Sequence, residues 1–368
     1  MATQRVFLAA IAAFIGILLA VPVVVLALPF WAVALLTRAF ARYLEPSYVS
    51  WDQLMEFAPV IGWKPKANLN AHYLTMVEDG VFHIVTDAQG WPGTASIAAS
   101  DVVVFGDSYA FGYGVNAEAS FAACRPEVRM KAIGAPAYNM VQEMLLMHQL
   151  SAQLADKLVV WFIFVGNDLY DNLTPNMYRY RMPFVREING TGGWEIVTSH
   201  VRPAQWPYTS ARFLHDSTLW ERLLADVHSP TFLAQRAFSA CEFLIREGRD
   251  ICRRAGAQLL VMTIPDPLTV SPRGVLRLFS RGVDPGTFDP DLPDQNISEI
   301  CAKFGVPFVA GRRYLTACHY KTRDPHWNEK GHRQVADLLS SLYYDYKLRG
   351  NLPGDGDDQI SHRWHSSV

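Results

Sequence analysis

Runs of apolar, largely β-branched residues alternate with longer stretches of mixed character between residues 101 and 349. Short continuous apolar runs are typical of strands buried on both faces of a parallel sheet, and the stretches between them of the covering helices. The pattern predicts strands at residues 102–105, 130–133, 158–165, 259–264 and 306–309. The predicted helices occupy residues 142–154, 237–255, 296–304 and 331–346. The chain is therefore expected to adopt an α/β fold.

The remaining segments differ from this rhythm. Residues 45–100 are rich in turn formers and aromatics, which favours a linker with short strands leading into the main domain at 101–349. Residues 169–236 are rich in Tyr, Trp, Pro and Arg and are interpreted as an insertion over one end of the sheet. The polar residues 350–368 are expected to form a flexible tail.

The N-terminal segment, residues 1–44, is expected to be a membrane anchor. Residues 6–37 contain no charged side chain, and a helix of these 32 residues would be roughly 48 Å long against a hydrocarbon core of about 30 Å. That length predicts one transmembrane helix, over about residues 6–28, with the lipid bilayer as its partner. A cleaved signal peptide is the alternative, but its apolar region is normally only about 7–15 residues long.

The net charge and the cysteine content exclude some classes of function. The 368 residues carry 33 Lys and Arg against 35 Asp and Glu, a formal charge of −2. Without the first 44 residues the balance is 30 against 35, so a nucleic-acid-binding protein is not expected. The five cysteines form no C-x-x-C pair and no H-E-x-x-H motif occurs, so neither a metal nor another cofactor is expected.

Residues able to carry chemistry follow four of the predicted strands. Ser108 lies in Gly106-Asp107-Ser108 after the first strand, and Gly134 follows the second. Asn167 follows the third strand. Because the carboxyl ends of parallel strands meet at one edge of the sheet, these residues are expected to converge there.

The fifth strand is followed by Asp324-Pro325-His326. In an extended segment the first and third side chains point the same way, which permits a carboxylate–imidazole hydrogen bond. The set predicts Ser108 as nucleophile, His326 as general base and Asp324 as the group that orients the ring. The backbone N–H groups of Ser108 and Gly134 and the amide of Asn167 would form an oxyanion hole.

These motifs resemble those of the SGNH (GDSL-type) hydrolase family. The matching blocks are FGDSYAFGYGV at 105–115, IGAPAYN at 133–139, VGND at 165–168 and DPHWNEKGH at 324–332. The resemblance covers about residues 60–346, and two stretches of the lead-in, 62–65 and 86–90, resemble bacterial membrane-anchored members. It implies a three-layer α/β/α fold with a five-stranded, flavodoxin-like parallel sheet.

Two departures from the family pattern are visible. The common spacing is Asp-x-x-His, whereas this chain has Asp324-Pro325-His326, which resembles the D-x-H-W-N variant of members acting on polysaccharide acetyl groups. Many members carry Leu or Thr where this chain has Tyr109, a change expected to alter only the pocket.

The resemblance implies a serine esterase or acyltransferase, with acetyl as the expected group, acting on an ester-bearing glycan or lipid. The alternative is a non-catalytic, membrane-tethered scaffold or assembly subunit built on the same fold, since fold does not fix function. Arg5 precedes the predicted membrane helix, and Arg38 and Arg42 follow it. This distribution of charge alone leaves the membrane orientation open. Because glycan-modifying members act outside the cytoplasmic membrane, the globular domain is expected on the exported, periplasmic side.

Overall fold

The computed structural model describes residues 32, 48–49, 51–74, 81–177, 180–188, 192–203, 217–322 and 324–349. The chain divides into two units, Met1–Tyr48 and Val49–Val368. The predicted membrane helix and the predicted tail lie outside the described residues. Within the described ranges no helix combines the length and the apolar character needed to cross a bilayer.

The strands predicted for the main domain are separated by helices, as the sequence predicts. The strands are β1 (Tyr48–Val49), β2 (Met55–Ala58), β3 (Gly62–Pro65), β4 (Asn70–Leu74), β5 (Val81–Val85), β6 (Val102–Gly106), β7 (Met130–Gly134), β8 (Leu158–Phe164), β9 (Asn176–Met177), β10 (Tyr180–Arg181), β11 (Phe184–Ile188), β12 (Gly193–Val197), β13 (Arg202–Pro203), β14 (Gln258–Ile264) and β15 (Phe308–Ala310). The α-helices are α1 (Trp51–Leu54), α2 (Ser108–Phe111), α3 (Met140–Leu150), α4 (Asp168–Asp171), α5 (Ser217–Val227), α6 (Phe232–Ala255), α7 (Pro272–Ser280), α8 (Leu292–Phe304) and α9 (Glu329–Arg349).

A five-stranded sheet in the order β15-β14-β8-β6-β7 forms the centre of this unit. All neighbouring strands in it run parallel. This order, with the first strand beside the second and the later ones added on the other side, is the flavodoxin-like one. The predicted parallel sheet is confirmed, with each strand end within two residues of its predicted position.

The two faces of the sheet are covered separately, which gives three layers. Val103 and Phe105 of β6 belong to the apolar cluster that includes α3, α6 and α8. Val102 and Val104 point the other way, into the cluster shared with α9. Alternate side chains of β6 thus pack into the apolar clusters on the two faces of the sheet. This explains why β6 is apolar at every position.

The helices begin earlier than the apolar periodicity predicts. The predicted helix 237–255 starts at Phe232, because the side chain of Thr231 accepts a hydrogen bond from Ala234 N (3.0 Å) and caps the first turn. Helix α7 was not predicted, although Ser271 caps it and Pro272 occupies its first position, both ordinary helix-start signals. Helix α5 falls inside the predicted insertion.

The predicted lead-in forms short hairpins that pack into the main core. Trp63 of β3 is fully buried, and its indole Nε1 donates to the carbonyl of Pro136 (3.1 Å). Lys131, buried within β7, forms an ion pair with Asp87 of the lead-in (2.8 Å). A buried ammonium needs such a partner, so the lead-in completes the domain as well as preceding it.

Candidate active site

The turn after β6 presents Ser108 at the first position of α2. Asp107 caps this short helix, since its Oδ1 accepts a hydrogen bond from Tyr109 N (2.9 Å). The Ser108 hydroxyl also lies 3.3 Å from the other carboxylate oxygen of Asp107. Ser108 is only 7% exposed. The cap therefore fixes the direction in which the serine side chain leaves the sheet edge.

The structure brings Ser108, His326 and Asp324 together across 218 residues of sequence. Ser108 Oγ lies 2.7 Å from His326 Nε2, within hydrogen-bond distance. The opposite ring nitrogen, Nδ1, is hydrogen-bonded to Asp324 Oδ1. The same carboxylate oxygen accepts a hydrogen bond from the backbone N–H of His326 (2.8 Å). Asp324 thus binds both the backbone and the ring of His326, and this fixes the orientation of the ring.

The electrostatics of Asp324 match this arrangement. Burial alone would raise the pKa of its carboxyl, but the hydrogen bond from His326 and the positive charge that this ring can carry outweigh burial. The pKa of Asp324 is consequently lower than usual, and the carboxylate is ionised at neutral pH. An ionised carboxylate on Nδ1 favours the tautomer in which Nε2 can accept a proton from the serine.

Tyr109 does more than alter the pocket, and that expectation is wrong. Its ring is buried and lies 5.2 Å from the His326 ring and 4.7 Å from that of Trp327, measured between centroids. Its hydroxyl donates to the carbonyl of Pro325 (2.6 Å). Tyr109 therefore joins the turn that carries Ser108 to the loop that carries His326.

Gly134 ends β7 directly beside Gly106, its partner in the strand register. A Cβ atom at Gly134 would lie 2.3 Å from the Gly106 carbonyl oxygen and 2.9 Å from that of Asp107. Only glycine permits this close approach of backbone to backbone. Gly134, predicted as part of an oxyanion hole, thus lies against the turn that carries Ser108.

Asn167 follows β8 and precedes α4, as predicted. Its side-chain Nδ2 donates to Asp171 Oδ2 (2.5 Å), one helical turn further on. An amide nitrogen carries two hydrogens, so this bond orients the group and leaves a second donor. Burial raises the pKa of Asp171 to about 7, although the hydrogen bond from Asn167 opposes the rise.

Further acidic side chains lie buried beneath the sheet edge. Asp168 is fully buried, and its Oδ2 accepts the backbone N–H of Phe164 (2.7 Å). Glu143 is also buried, and its Oε2 accepts from Trp161 Nε1 (2.6 Å). Burial raises the pKa of both carboxyls well above the usual values, which favours their neutral forms.

Sequence analysis did not predict the supporting contacts made by Asp107, Tyr109 and Asp171. The Asn167–Asp171 contact could have been inferred from its i, i+4 spacing at a helix start. The Tyr109–Pro325 bond spans 216 positions and leaves no local signal. Among the residues that the structure describes, no group of three His, Cys, Asp or Glu side chains is placed to hold a metal ion.

Neither a family model nor a curated protein matches the sequence. Several solved structures are similar to the chain. A protein from Lactobacillus plantarum is 14% identical, with 67% of this chain and 97% of that chain covered and a TM-score of 0.38. A carbohydrate acetylesterase family member from Sinorhizobium meliloti is 13% identical, with 68% and 100% covered and a TM-score of 0.36.

A member of the lipolytic protein G-D-S-L family from Veillonella parvula is 11% identical, with 67% of this chain and 99% of that chain covered and a TM-score of 0.35. Lipolytic G-D-S-L proteins and carbohydrate acetylesterases thus recur among the solved structures that match. At these identities and scores, the chemistry of this chain has to be inferred from its own site.

Proposed function

We propose that this protein is an SGNH-type serine hydrolase that cleaves or transfers an acyl group, with acetyl as the expected one, on an ester-bearing glycan or lipid. The observation that carries the proposal is the 2.7 Å contact between Ser108 Oγ and His326 Nε2, with Asp324 bound to the other ring nitrogen. A hydroxyl, an imidazole and a carboxylate in this chain of contacts are the parts of a serine esterase.

The first chemical step follows from these contacts. Nε2 of His326 takes the Ser108 proton while Oγ forms a bond to the ester carbonyl carbon, which gives a tetrahedral oxyanion. The C–O bond of the ester then breaks, and the imidazolium returns its proton to the departing alkoxide oxygen. Asp324 stabilises the imidazolium between these two transfers.

The oxyanion needs donors aimed at the developing negative charge. The second amide hydrogen of Asn167 and the backbone N–H groups of Ser108 and Gly134 are proposed to supply them. The bond from Asn167 to Asp171 supports this assignment, because it fixes the amide before the substrate arrives. Loss of one such donor typically lowers turnover by about 10²–10³.

The second half of the reaction decides between hydrolase and transferase. Water attacking the acyl-enzyme gives hydrolysis, and a sugar or lipid hydroxyl in its place gives transfer, with the same residues carrying the proton.

A panel of acetyl and longer acyl esters tests the proposal. Wild-type protein is expected to release acid from at least one of them, and Ser108→Ala is expected to remove the activity. Ser229→Ala is a matched control, since Ser229 is a buried serine whose hydroxyl bonds the carbonyl of Ala225, and it should retain activity. No turnover by wild type, with partner assembly intact in Ser108→Ala, would favour a scaffold instead.

We further propose that residues 1–44 anchor the protein in a membrane with the globular domain on the exported side. The uncharged run of residues 6–37 supports an anchor. C-terminal fusions test the side: an exported domain makes an alkaline-phosphatase fusion active and a fluorescent-protein fusion dark. The reverse pattern would contradict this orientation.

A further inference from the structure

A cavity of about 870 Å³ lies beside the catalytic residues. Its wall includes the loop after β14, the first turns of α7 and the segment that ends at Asp324 and Pro325. Asp324 is hydrogen-bonded to His326, which contacts Ser108. The cavity therefore begins two hydrogen bonds away from the nucleophile oxygen, and its volume is within the range of ligand-binding sites.

The charged side chains of this cavity that are exposed are positive. Arg273 and Arg277, one turn apart on α7, are exposed, and Lys321 is partly exposed on the opposite wall. In the described part of the chain, no carboxylate lies within ion-pair distance of Arg273 or Lys321. The Lys321 ammonium reaches towards Gly114 of the nucleophile segment, where a Cβ atom would lie 2.7 Å from Nζ.

Each acidic residue of the cavity wall already has a partner within the protein; Glu221 and Asp266 are buried, and Asp324 is partly buried. Glu221 is hydrogen-bonded to Arg277 (2.8 Å) and lies 3.6 Å from Arg281. Asp266 accepts the backbone N–H of Leu268 (2.8 Å), and Asp324 holds the catalytic imidazole. The carboxylates are thus held by partners within the protein, whereas Arg273 is exposed and Lys321 is partly exposed.

We infer that this cavity binds a carboxylate or phosphate group on the glycan chain that carries the scissile ester. The inference rests on the proposed function and names its substrate class as an anionic glycan. Guanidinium and ammonium groups form charge-assisted hydrogen bonds with both anions. Hydroxyl-bearing residues, Ser271 and Thr322, also line the cavity, which is open to solvent and suits a polar chain better than an acyl chain.

Binding to the full-length Ser108→Ala protein tests the inference without consuming the ligand. Calorimetry would compare an acetylated oligogalacturonate, an acetylated glycan phosphate and a neutral acetylated xylo-oligosaccharide. At low salt at least one anionic glycan should bind about tenfold or more tightly than the neutral one, and added salt should narrow the gap. The two anionic arms distinguish a carboxylate from a phosphate site.

Charge removal locates the site. In the Ser108→Ala background, Arg273→Gln should reduce the preference for the anionic glycan about tenfold, and Lys321→Gln should also reduce this preference. Arg254→Gln is the matched control, because Arg254 is an exposed arginine outside the cavity and should leave the preference unchanged. In the Ser108-containing chain, Arg273→Gln should leave the turnover of p-nitrophenyl acetate unchanged, since that small ester has no carboxylate or phosphate for Arg273 to bind.

The outcomes separate the two proposals. Equal affinity for all three glycans, or an anionic preference that survives Arg273→Gln, would overturn the anionic subsite even where ester hydrolysis is intact. Anionic preference without ester turnover by wild type would overturn the proposed function and leave the subsite standing. Arg273-dependent binding to phosphatidylglycerol vesicles with no glycan binding would replace the glycan by a membrane surface and overturn the inference.

Discussion

At the scale of residues, several side chains fix the groups that are proposed to take part in the reaction. Asp107 caps the turn that carries the serine, and Asn167 is held by Asp171. Tyr109 bonds the carbonyl of Pro325, next to His326. Because a general base must lie within hydrogen-bond reach of its proton, the contact made by Tyr109 bears directly on the Ser108–His326 distance.

Tyr109→Phe is expected to lower kcat several-fold, because the loop carrying His326 loses its hydrogen bond to the turn that carries Ser108. Tyr138→Phe is the matched control: Tyr138 is also buried, and its hydroxyl donates to another backbone carbonyl, that of Trp63. Each variant should lose roughly 1–3 kcal/mol of stability. Equal kcat values for the two variants would contradict a positioning function for Tyr109.

The structure brings together Ser108, His326 and Asp324, whose convergence the sequence predicts, whereas the contacts that support them were not predicted. Ser108, Asn167, Asp324 and His326 could be identified because each follows a predicted strand, and parallel topology brings strand ends together. The contact of Tyr109 could not be predicted, because it depends on how two distant loops pack. Burial of a tyrosine hydroxyl against a particular carbonyl has no signature in either local sequence.

At the scale of elements, the site depends on how closely the ends of β6 and β7 approach. Gly106 and Gly134 are paired in register, and the carbonyls of Gly106 and Asp107 lie where a side chain at position 134 would begin. These atoms belong to the backbone of the turn that carries Ser108, so they can make room for a Cβ atom only if that turn moves.

Gly134→Ala is therefore expected to reduce activity by about tenfold or more and stability by roughly 1–3 kcal/mol, the usual cost of overpacking. Gly286→Ala is the control, since the nearest atom to a Cβ there is a side-chain oxygen of Asp284 at 3.3 Å. Activity assays and denaturant unfolding check both. Wild-type activity in Gly134→Ala would contradict the rigid approach described here.

The first turn of α9 contains a buried histidine, His332. His332 accepts the backbone N–H of Phe121 through Nδ1 (3.3 Å). Burial lowers its pKa to about 3, below the value of about 6.5 expected in the unfolded chain. Between these values the unfolded state binds a proton that the folded state does not, so the stability that His332 contributes falls as the pH falls below 6.5.

The stability advantage of wild type over His332→Gln should consequently shrink by about 2 kcal/mol between pH 7.5 and pH 5. Gln keeps an acceptor for Phe121 N but does not titrate, so the comparison isolates the proton of one residue. Urea unfolding at the two pH values measures it. A difference between the two proteins that does not change with pH would refute the assignment of a neutral, buried His332.

At the scale of the whole molecule, the paired strands β2 and β3, and β4 and β5, contribute to the core that supports the site. The Trp63 indole bonds Pro136, two residues after Gly134, and Asp87 neutralises the buried Lys131 of β7. The sequence predicts short strands here, but it does not predict that they pack against β7 and α3. Such pairings join residues more than 40 positions apart, and periodicity reports only on neighbours.

Trp63→Ala is expected to destabilise the protein by about 3–5 kcal/mol, the usual range for a buried tryptophan. Phe57→Ala is the matched control: Phe57 pairs with Trp63 across the same hairpin but is 38% exposed, so its loss should cost about 1 kcal/mol or less. Thermal unfolding compares the two. Similar melting temperatures would show that the hairpin is a separate appendage.

The most direct test of a serine nucleophile is covalent. Wild-type protein treated with a fluorophosphonate, digested and analysed by mass spectrometry is expected to carry one adduct, on Ser108, and His326→Gln should label far more slowly, since the imidazole activates the hydroxyl. An unlabelled Ser108, under conditions in which a known serine esterase is fully modified, would contradict the account.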